Sequence, residues 1–239
     1  MHSEVEVPDK VVEEFHHIEE YLRHPVFASR LFCFPLVDFS PRLMSGGQLK
    51  IKRGMDIIIS LVAIIILIPV YIVTAICIRL SSGGPVLYKQ QRIGLNGKPF
   101  QMIKFRTMYQ DSEKNGPQLS SKNDPRITRF GKLLRKVRLD EIPQLFTVLQ
   151  GKMSLVGPRP EREFYIDQIV EKAPHYIILL KVKPGITSWG QIKYGYAENI
   201  SQMLERLKFD LDYMEKISIL TDVKVLLNTV FVIFQASGR

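Results

Sequence analysis

The amino-acid sequence predicts an α+β fold, mainly helical, of a monotopic membrane protein with a re-entrant N-terminal membrane helix, amphipathic interfacial helices and a small β-hairpin or sheet. Three observations support this prediction. Residues 57–78 contain no charged residue, and such a run reaches the roughly 20 residues that a helix needs to cross a bilayer. Apolar residues recur at helical spacing in several other segments. Between residues 84 and 108, apolar and polar residues partly alternate on both sides of a turn region with Gly and Pro, and this pattern predicts a β-hairpin.

The apolar run is typical of a helix that enters and leaves a membrane by the same face. Pro69 lies past its middle, where it removes a backbone donor and clashes with the preceding turn, so it favours a kink or helical hairpin. Because Lys and Arg beside an apolar segment favour the cytoplasmic side, basic residues at both ends favour a re-entrant hairpin over a straight span. These flanking residues are Lys50, Lys52 and Arg53 on one side and Arg79, Lys89 and Arg92 on the other.

Composition and charge restrict the classes of partner. The 239 residues include 33 Lys and Arg and 24 Asp and Glu, a net charge of +9, which indicates an anionic partner such as nucleic acid, a phosphorylated substrate or acidic lipid. The two cysteines, Cys33 and Cys77, exclude a disulfide framework and favour a reducing, cytoplasmic setting. The acidic residues that follow Met1 argue against a secretory signal.

The remaining segments are assigned from periodicity and from the positions of Gly and Pro. The predicted domains are an N-terminal extension at 1–50, the re-entrant helix-break-helix at 51–80 and a third domain at 81–239. We predict an amphipathic helix at 10–23, a connector at 24–49, a loop at 109–125, a basic amphipathic helix at 126–138, helices at 139–150, 161–181 and 198–216, an extended segment at 155–160, a turn with a short strand at 184–194, and an interfacial helix at 217–234.

Asp140 and Glu141 are the strongest candidates for chemistry. In the helix predicted for 139–150, Asp140 lies near the N-cap and Pro143 in the first turn. The helix start would place a positive dipole end and free N–H groups beside Asp140, keeping it ionised and able to receive a phosphate oxygen. Adjacent helical side chains diverge by about 100°, so we predict separate roles, attack for one and metal binding for the other. The alternative is that the pair only caps the helix.

Several cations are predicted to converge on the dyad and to hold a diphosphate, although surface solvation is the alternative for each one singly. They are Lys104 and Arg106 in KFRTM, Arg135 and Arg138 before the dyad, and Arg159 between two prolines. Mg²⁺ commonly bridges one or two carboxylates and substrate phosphates. Glu141 and a diphosphate therefore predict a magnesium site without a dedicated cage of protein ligands.

Four motifs follow one another along the chain: KFRTM, DPRITRFGKLLRKVRLDEIPQL, MSLVGPRP and KPGITSWGQI. Together they resemble the bacterial polyprenyl-phosphate phosphoglycosyl transferases of the small monotopic type, over about residues 50–235. The resemblance implies a re-entrant helix broken at a proline, a catalytic Asp–Glu dyad, magnesium dependence and a covalent phosphosugar intermediate. Carried onto this sequence, it assigns the break to Pro69, the nucleophile to Asp140, magnesium binding to Glu141 and phosphate binding to Arg159. Lys104, Arg135 and Asp222 fall at matching polar positions and are predicted to bind substrate.

The resemblance also implies a reaction and its partners. A sugar 1-phosphate would pass from a UDP-sugar to polyprenyl (undecaprenyl) phosphate with release of UMP, the initiating step of bacterial surface glycan assembly. Residues 81–239 would form the catalytic domain on the cytoplasmic face of the bacterial inner membrane, at the inner leaflet, with no nucleic acid as partner. The sequence leaves open which sugar is transferred, which glycan is made, whether a homodimer forms and what residues 1–50 do.

The sequence is also compatible with two other functions. A lipid-surface hydrolase or kinase could use the same dyad on phosphate, but the sequence contains no P-loop and no kinase motif set. A non-enzymatic membrane adaptor could bind acidic lipids or nucleic acid through its basic helix, but that function leaves the ordered motifs unexplained.

Overall fold

The computed structural model describes residues 43–110, 112–113, 116–121 and 124–234. Within these ranges the chain is mainly helical with a small amount of β-structure, which confirms the predicted α+β class. The amphipathic helix predicted at 10–23 and most of the connector predicted at 24–49 lie outside the described residues.

The helices and strands are numbered in chain order. The helices are α1 (Gly46–Ile66), α2 (Ile68–Ser82), α3 (Arg129–Lys136), α4 (Gln144–Leu149), α5 (Glu163–Lys172), α6 (Trp189–Lys193), α7 (Ile200–Glu215) and α8 (Ile219–Phe234), with 3₁₀ segments at Leu95–Gly97, Leu139–Glu141 and Pro174–Lys181. The strands are β1 (Leu87–Ile93), β2 (Pro99–Phe105), β3 (Ser154–Val156) and β4 (Gly185–Thr187).

The apolar run forms a broken helix, as its proline predicts. Helix α1 begins after a capping box in which Ser45 and Gln48 exchange hydrogen bonds, and it ends at Ile66. Leu67 separates it from α2, which continues at a 62° bend. Pro69 lies in the first turn of α2, a position that does not require its missing N–H. Among the described helices no single one is long and apolar enough to cross a membrane, whereas α1 and α2 together meet that test of length and composition. Membrane insertion stays a prediction.

Side chains in the first half of α1 form hydrogen bonds with α4 and β3, which lie between the dyad and the PRP motif (residues 158–160). Arg53 donates hydrogen bonds to the carbonyls of Val148 (2.6 Å) and Leu149 (2.8 Å), which end α4. Asp56 accepts bonds from the Ser154 hydroxyl and from the backbone N–H of Leu155 in β3. The apolar helix pair is therefore joined by side-chain hydrogen bonds to the part of the chain that follows the dyad.

The described residues also form two small sheets. Strands β1 and β2 pair antiparallel in the register Leu87 with Phe105 through Ile93 with Pro99, which confirms the predicted hairpin. Strands β3 and β4 pair in parallel. At their ends Gly157 and Gly185 approach so closely that a Cβ on Gly185 would lie 2.2 Å from the Gly157 nitrogen, so this approach requires glycine.

Three local predictions differ from the structure. The basic helix predicted at 126–138 is limited to α3, because the Thr128 hydroxyl accepts the Gly131 N–H and caps a later start. Trp189 begins α6, and the short strand β4 ends just before it. The helix predicted at 161–181 is divided into α5 and a 3₁₀ segment that begins at Pro174, where a regular helix would lose a backbone hydrogen bond.

Candidate active site

A cavity of about 560 Å³ lies between the β1–β2 hairpin, the dyad turn, the PRP segment and α7. This volume is typical of a small-ligand site. Among the described residues, seven lining side chains are cationic and four are acidic, so the cavity favours an anionic ligand. The cations are Arg92, Lys104, Arg106, Arg135, Arg159, Arg162 and Arg206, and the acids are Glu113, Asp140, Glu141 and Glu161.

The dyad occupies a tight turn and not the start of a long helix. Arg138 adopts a left-handed conformation (φ 57°), and residues Leu139–Glu141 then form a 3₁₀ turn with bonds between residues three apart. Pro143 is the N-cap of α4. Because proline has no N–H to continue an α-helical bond back to residue 139, the regular helix starts only after it. The start of the helix predicted at 139–150, with Asp140 near its N-cap, is therefore wrong.

Glu141 is held by two cations. Its Oε1 accepts hydrogen bonds from Lys104 Nζ (3.1 Å) and from Arg159 Nη2 (3.0 Å), and the residue is 4% exposed. Burial by itself would raise the pKa of Glu141, but the charges of Arg159 and Lys104 outweigh it and hold the pKa well below its usual range. Glu141 is therefore ionised throughout the physiological pH range.

Asp140 has the opposite electrostatic environment. Burial, followed by the negative charge of Glu141, raises the pKa of Asp140 to about 6, although Lys104, Arg135 and Arg159 partly oppose the shift. The helix start that was predicted to keep Asp140 ionised is not present at this residue, because the 3₁₀ turn instead buries the carboxyl beside a second carboxylate. Two adjacent carboxyl groups with pKa values moved in opposite directions are suited to different roles.

Two of the predicted cations contact the dyad, and a third, Arg135, lines the same cavity. Lys104 and Arg159 bind Glu141 directly. Arg135 donates to the Thr107 hydroxyl (2.8 Å) and to the Ser120 hydroxyl (2.6 Å) at the cavity wall. Burial lowers the pKa of Lys104 to about 8 despite the nearby Glu141. The structure thus brings these cations together, as the motifs predict.

The other predicted substrate-binding residues are placed differently. Arg106 lines the cavity, but its Nη2 donates to the Ser82 hydroxyl (2.9 Å) and to the Gly83 carbonyl at the end of α2. Arg138 does not line the cavity, and its guanidinium lies 5.0 Å from the centre of the Tyr196 ring. Asp222 also lies outside the cavity lining, where it accepts hydrogen bonds from Lys52 Nζ and from the Tyr213 hydroxyl. The structure therefore does not bring Asp222 to the dyad.

One ionic network beside the dyad is not evident from the sequence. Glu161 accepts hydrogen bonds from Arg92 Nη1 (2.9 Å) and from Arg206 Nη2 (2.6 Å), and all three side chains line the cavity. Arg159 and Arg138 both lie over the face of Tyr196. The only sequence signal was that Glu161 directly follows PRP, since Arg92, Tyr196 and Arg206 belong to no recognisable motif.

The residues present fit magnesium only together with a phosphorylated substrate. Within the described ranges, no three His, Cys, Asp or Glu side chains are grouped so that they could hold a metal ion. The dyad supplies two carboxylates at the cavity wall. Because Mg²⁺ is usually bound by one or two carboxylates, substrate phosphates and water, this donor set is adequate when a diphosphate completes it.

A carboxylate dyad among cations is typical of enzyme sites that act on phosphate groups. The family model described as bacterial sugar transferase matches residues 47–236, and the chain belongs to this family. This confirms the family that the motifs predict.

Three relatives match at least three quarters of the chain. The chain is 41% identical over 188 residues to UDP-N-acetylgalactosamine-undecaprenyl-phosphate N-acetylgalactosaminephosphotransferase of Aeromonas hydrophila, with 79% of this chain and 44% of the relative covered. It is 38% identical over 199 residues to UDP-glucose:undecaprenyl-phosphate glucose-1-phosphate transferase of Escherichia coli (strain K12), covering 82% and 43%. A Caulobacter vibrioides protein of the same name is 37% identical over 183 residues, covering 75% and 68%. The chain spans less than half the length of the first two relatives.

Proposed function

We propose that this protein transfers a sugar 1-phosphate from a UDP-sugar to polyprenyl (undecaprenyl) phosphate, releases UMP and forms a covalent aspartyl phosphosugar intermediate on Asp140. The observation that carries the proposal is the asymmetric dyad. Glu141 is bound by Lys104 and Arg159. The neighbouring Asp140 carboxyl has a raised pKa. The names of the A. hydrophila and E. coli relatives support a UDP-sugar as donor and undecaprenyl phosphate as acceptor.

The chemistry consists of two displacements at one phosphorus. The Asp140 carboxylate attacks the β-phosphorus of the UDP-sugar, the bond to the bridging oxygen breaks, and its electron pair leaves on UMP. Arg135 and Arg159 offset the charge that develops on the phosphate oxygens. An oxygen of the lipid phosphate then attacks the same phosphorus, and the Asp140 carboxylate leaves with the electron pair of its bond to phosphorus.

Magnesium is proposed to be held by Glu141, with Asp140 beside it, and it would supply positive charge to the diphosphate when bound. The residues of the chain perform the remaining tasks. Lys104 and Arg159 keep Glu141 ionised and oriented. The Arg92, Glu161 and Arg206 network fixes the cavity wall beside Arg159.

The proposed location is the cytoplasmic face of the bacterial inner membrane, with α1 and α2 inserted as a re-entrant pair and α8 at the interface. The exposed apolar side chains of these helices support this placement, because they would contact water if the helices were not in a membrane. Those that are at least half exposed include Ile58, Ile65, Ile66, Ile72, Val73, Ile76 and Leu80 on the helix pair and Leu220, Leu227, Val230 and Phe231 on α8. The exposed apolar surface on both elements fits a lipid environment.

The covalent intermediate can be trapped by withholding the acceptor. Purified enzyme, Mg²⁺ and a UDP-sugar labelled in the sugar, without lipid, are expected to yield labelled protein and about one UMP per active site. Added polyprenyl phosphate should discharge the label into lipid. Release of UMP only in the presence of lipid, with no labelled protein, would instead demonstrate direct transfer. Free labelled sugar phosphate would indicate a hydrolase.

A panel of UDP-sugars in the same assay would identify the sugar that the enzyme transfers.

The rate of transfer is expected to depend on pH in a bell shape. Asp140 must be ionised to attack, so kcat/KM should fall about tenfold per pH unit below about 6, the raised pKa of this carboxyl. Above about pH 8, Lys104 loses its charge and Glu141 loses one of its two partners, so the rate should fall again. The measurement is kcat/KM for UDP-sugar between pH 5 and pH 10.

Lys104→Arg tests the alkaline limb. Arginine stays protonated over the whole range, so this variant should lose the decline above about pH 8 and keep the acid limb. Lys89→Arg is the matched control, because Lys89 is an exposed lysine of the same hairpin that does not line the cavity. An alkaline limb that persists in Lys104→Arg would assign the decline to another group.

A further inference from the structure

Arg106 connects the cavity to the end of the apolar helix pair. Its side chain lines the cavity, and its Nη2 donates to the Ser82 hydroxyl and the Gly83 carbonyl, where α2 ends. Gly84 packs against the same guanidinium so closely that a Cβ there would lie 2.7 Å from Nη1. Arg106 is therefore the lining cation that contacts the helix pair directly at its terminus.

The guanidinium of Arg106 has hydrogen-bonding capacity that the protein does not use. Its Nε and Nη1 are buried and have no hydrogen-bond partner among the described residues, and the whole residue is 7% exposed. The neighbouring charge is another cation, Arg79, which donates to the Gly84 carbonyl. A buried cation with unpaired donors is unfavourable unless a ligand supplies the acceptor. An anion such as a phosphate would supply both the charge and the acceptor oxygens.

The position of Arg106 separates it from the cations around the dyad. Lys104 and Arg106 are two residues apart, Lys104 in β2 and Arg106 just after its end, but Lys104 is bonded to Glu141, whereas Arg106 is bonded to the end of α2. Arg135 is bonded to Thr107, the next residue along the same wall. One cavity therefore contains a cationic group at the dyad and a further cation at the edge that meets α2.

A lipid acceptor fits that edge for a geometric reason. Along α2 the side chains of Ile72, Val73, Ile76 and Leu80 are more than half exposed, and the helix ends at Ser82. An isoprenoid chain that packs along these side chains would carry its terminal phosphate to the end of the helix, where Arg106 lies. A nucleotide sugar has no apolar chain to place there.

We propose that Arg106 binds the phosphate of the lipid acceptor, while Lys104, Arg135 and Arg159 serve the nucleotide sugar. The proposal rests on the proposed function and assigns a specific acceptor-recognition residue within it. The ligand is recognised as an isoprenoid phosphomonoester through charge-assisted hydrogen bonds from the guanidinium.

The two half-reactions allow a direct test of this proposal. The parent enzyme, Arg106→Gln and Arg106→Lys are incubated with labelled UDP-sugar and Mg²⁺ without lipid, and UMP release and label on the protein are measured. We expect all three to label at rates within about twofold. Undecaprenyl phosphate is then added, and discharge of label is measured as a function of its concentration. The KM for the acceptor should rise about 10- to 100-fold in Arg106→Gln, the range expected for a lost charge-assisted hydrogen bond, and less in Arg106→Lys.

A matched control removes the other cation at the end of α2. Arg79→Gln also deletes a positive charge that bonds to the segment after α2, but Arg79 does not line the cavity. Its acceptor KM should stay within about twofold of the parent value.

A second arm of the experiment replaces undecaprenyl phosphate with a water-soluble short-chain prenyl phosphate. If Arg106 recognises the phosphate, Arg106→Gln should raise the KM of both acceptors by similar factors.

Each contrary outcome is informative. If both Arg106 variants show a lower rate of protein labelling as well as a lower rate of discharge, the proposal is overturned and Arg106 is assigned to the donor site or to folding. An effect confined to the long-chain acceptor would overturn it in favour of a role in packing α2, and an unchanged acceptor KM would overturn it outright. If the parent enzyme takes up no label, the proposed function itself fails and this proposal with it, whereas a labelled parent separates the two.

Discussion

Asp140→Asn is expected to abolish covalent labelling by the UDP-sugar and to lower kcat for complete transfer by about a thousandfold or more, the loss typical of a removed nucleophile. The amide has nearly the same volume as the carboxyl, so the buried turn should keep its packing. It lacks the negative oxygen that attacks phosphorus. The measurements are label per folded enzyme, intact mass of the protein and steady-state release of UMP.

Two variants make this result specific. Asp210→Asn is a matched control, because Asp210 is a buried aspartate whose pKa is also raised by burial but which does not line the cavity. It should label as the parent does per folded molecule. Glu141→Gln should slow labelling without abolishing it, because Lys104 and Arg159 lose their shared partner. Label retained by Asp140→Asn but lost from Glu141→Gln would move the nucleophile to Glu141.

Features that depend on neighbouring residues in the chain were predictable from the sequence. The alternation of apolar and polar residues predicted the hairpin, because successive side chains of a strand point to opposite faces. Strands β1 and β2 pair as this pattern predicts. A proline inside an uncharged run specified the helix break between α1 and α2. The motifs also identified Lys104 and Arg159, which meet on one oxygen of Glu141.

Features that depend on burial were not predictable in this way. A helix start was expected to keep Asp140 ionised, but the 3₁₀ turn at Leu139–Glu141 instead buries the carboxyl beside Glu141 and raises its pKa. Arg92 and Arg206 reach Glu161 from positions 69 and 45 residues away. No local period marks such partners, because their proximity exists only after the chain has folded.

Asp222 has a structural partner that the sequence does not indicate. The family resemblance placed Asp222 at a matching polar position and implied a substrate-binding role. In the structure its partner is Lys52, 170 residues earlier in the chain, and the side chain of Asp222 is 5% exposed. Lys52 also donates to the Val156 carbonyl (2.9 Å) in the strand that precedes the PRP motif. The Lys52–Asp222 ion pair therefore joins α8 to α1.

Lys52→Met is consequently expected to be the most destabilising of the substitutions considered. It leaves Asp222 buried without its cation, which typically costs about 3–5 kcal/mol of the free energy of unfolding and corresponds to a fall of about 10 °C in thermal midpoint for a chain of this size. Burial already raises the pKa of Asp222, and Lys52 opposes that shift. Without Lys52 the folded state favours the protonated carboxyl more strongly, so the stability deficit should shrink as the pH is lowered.

A double-mutant cycle separates this structural role from substrate binding. Lys52→Met combined with Asp222→Leu removes both charges, so the double variant should regain much of the thermal midpoint that Lys52→Met loses. Asp222→Asn retains an oxygen that can accept from Tyr213. It should leave the KM values for UDP-sugar and for lipid acceptor within about twofold when expressed per folded enzyme. A raised KM with an unchanged midpoint would restore Asp222 to the substrate site, because a residue that only joins two helices affects stability and not the affinity for substrate.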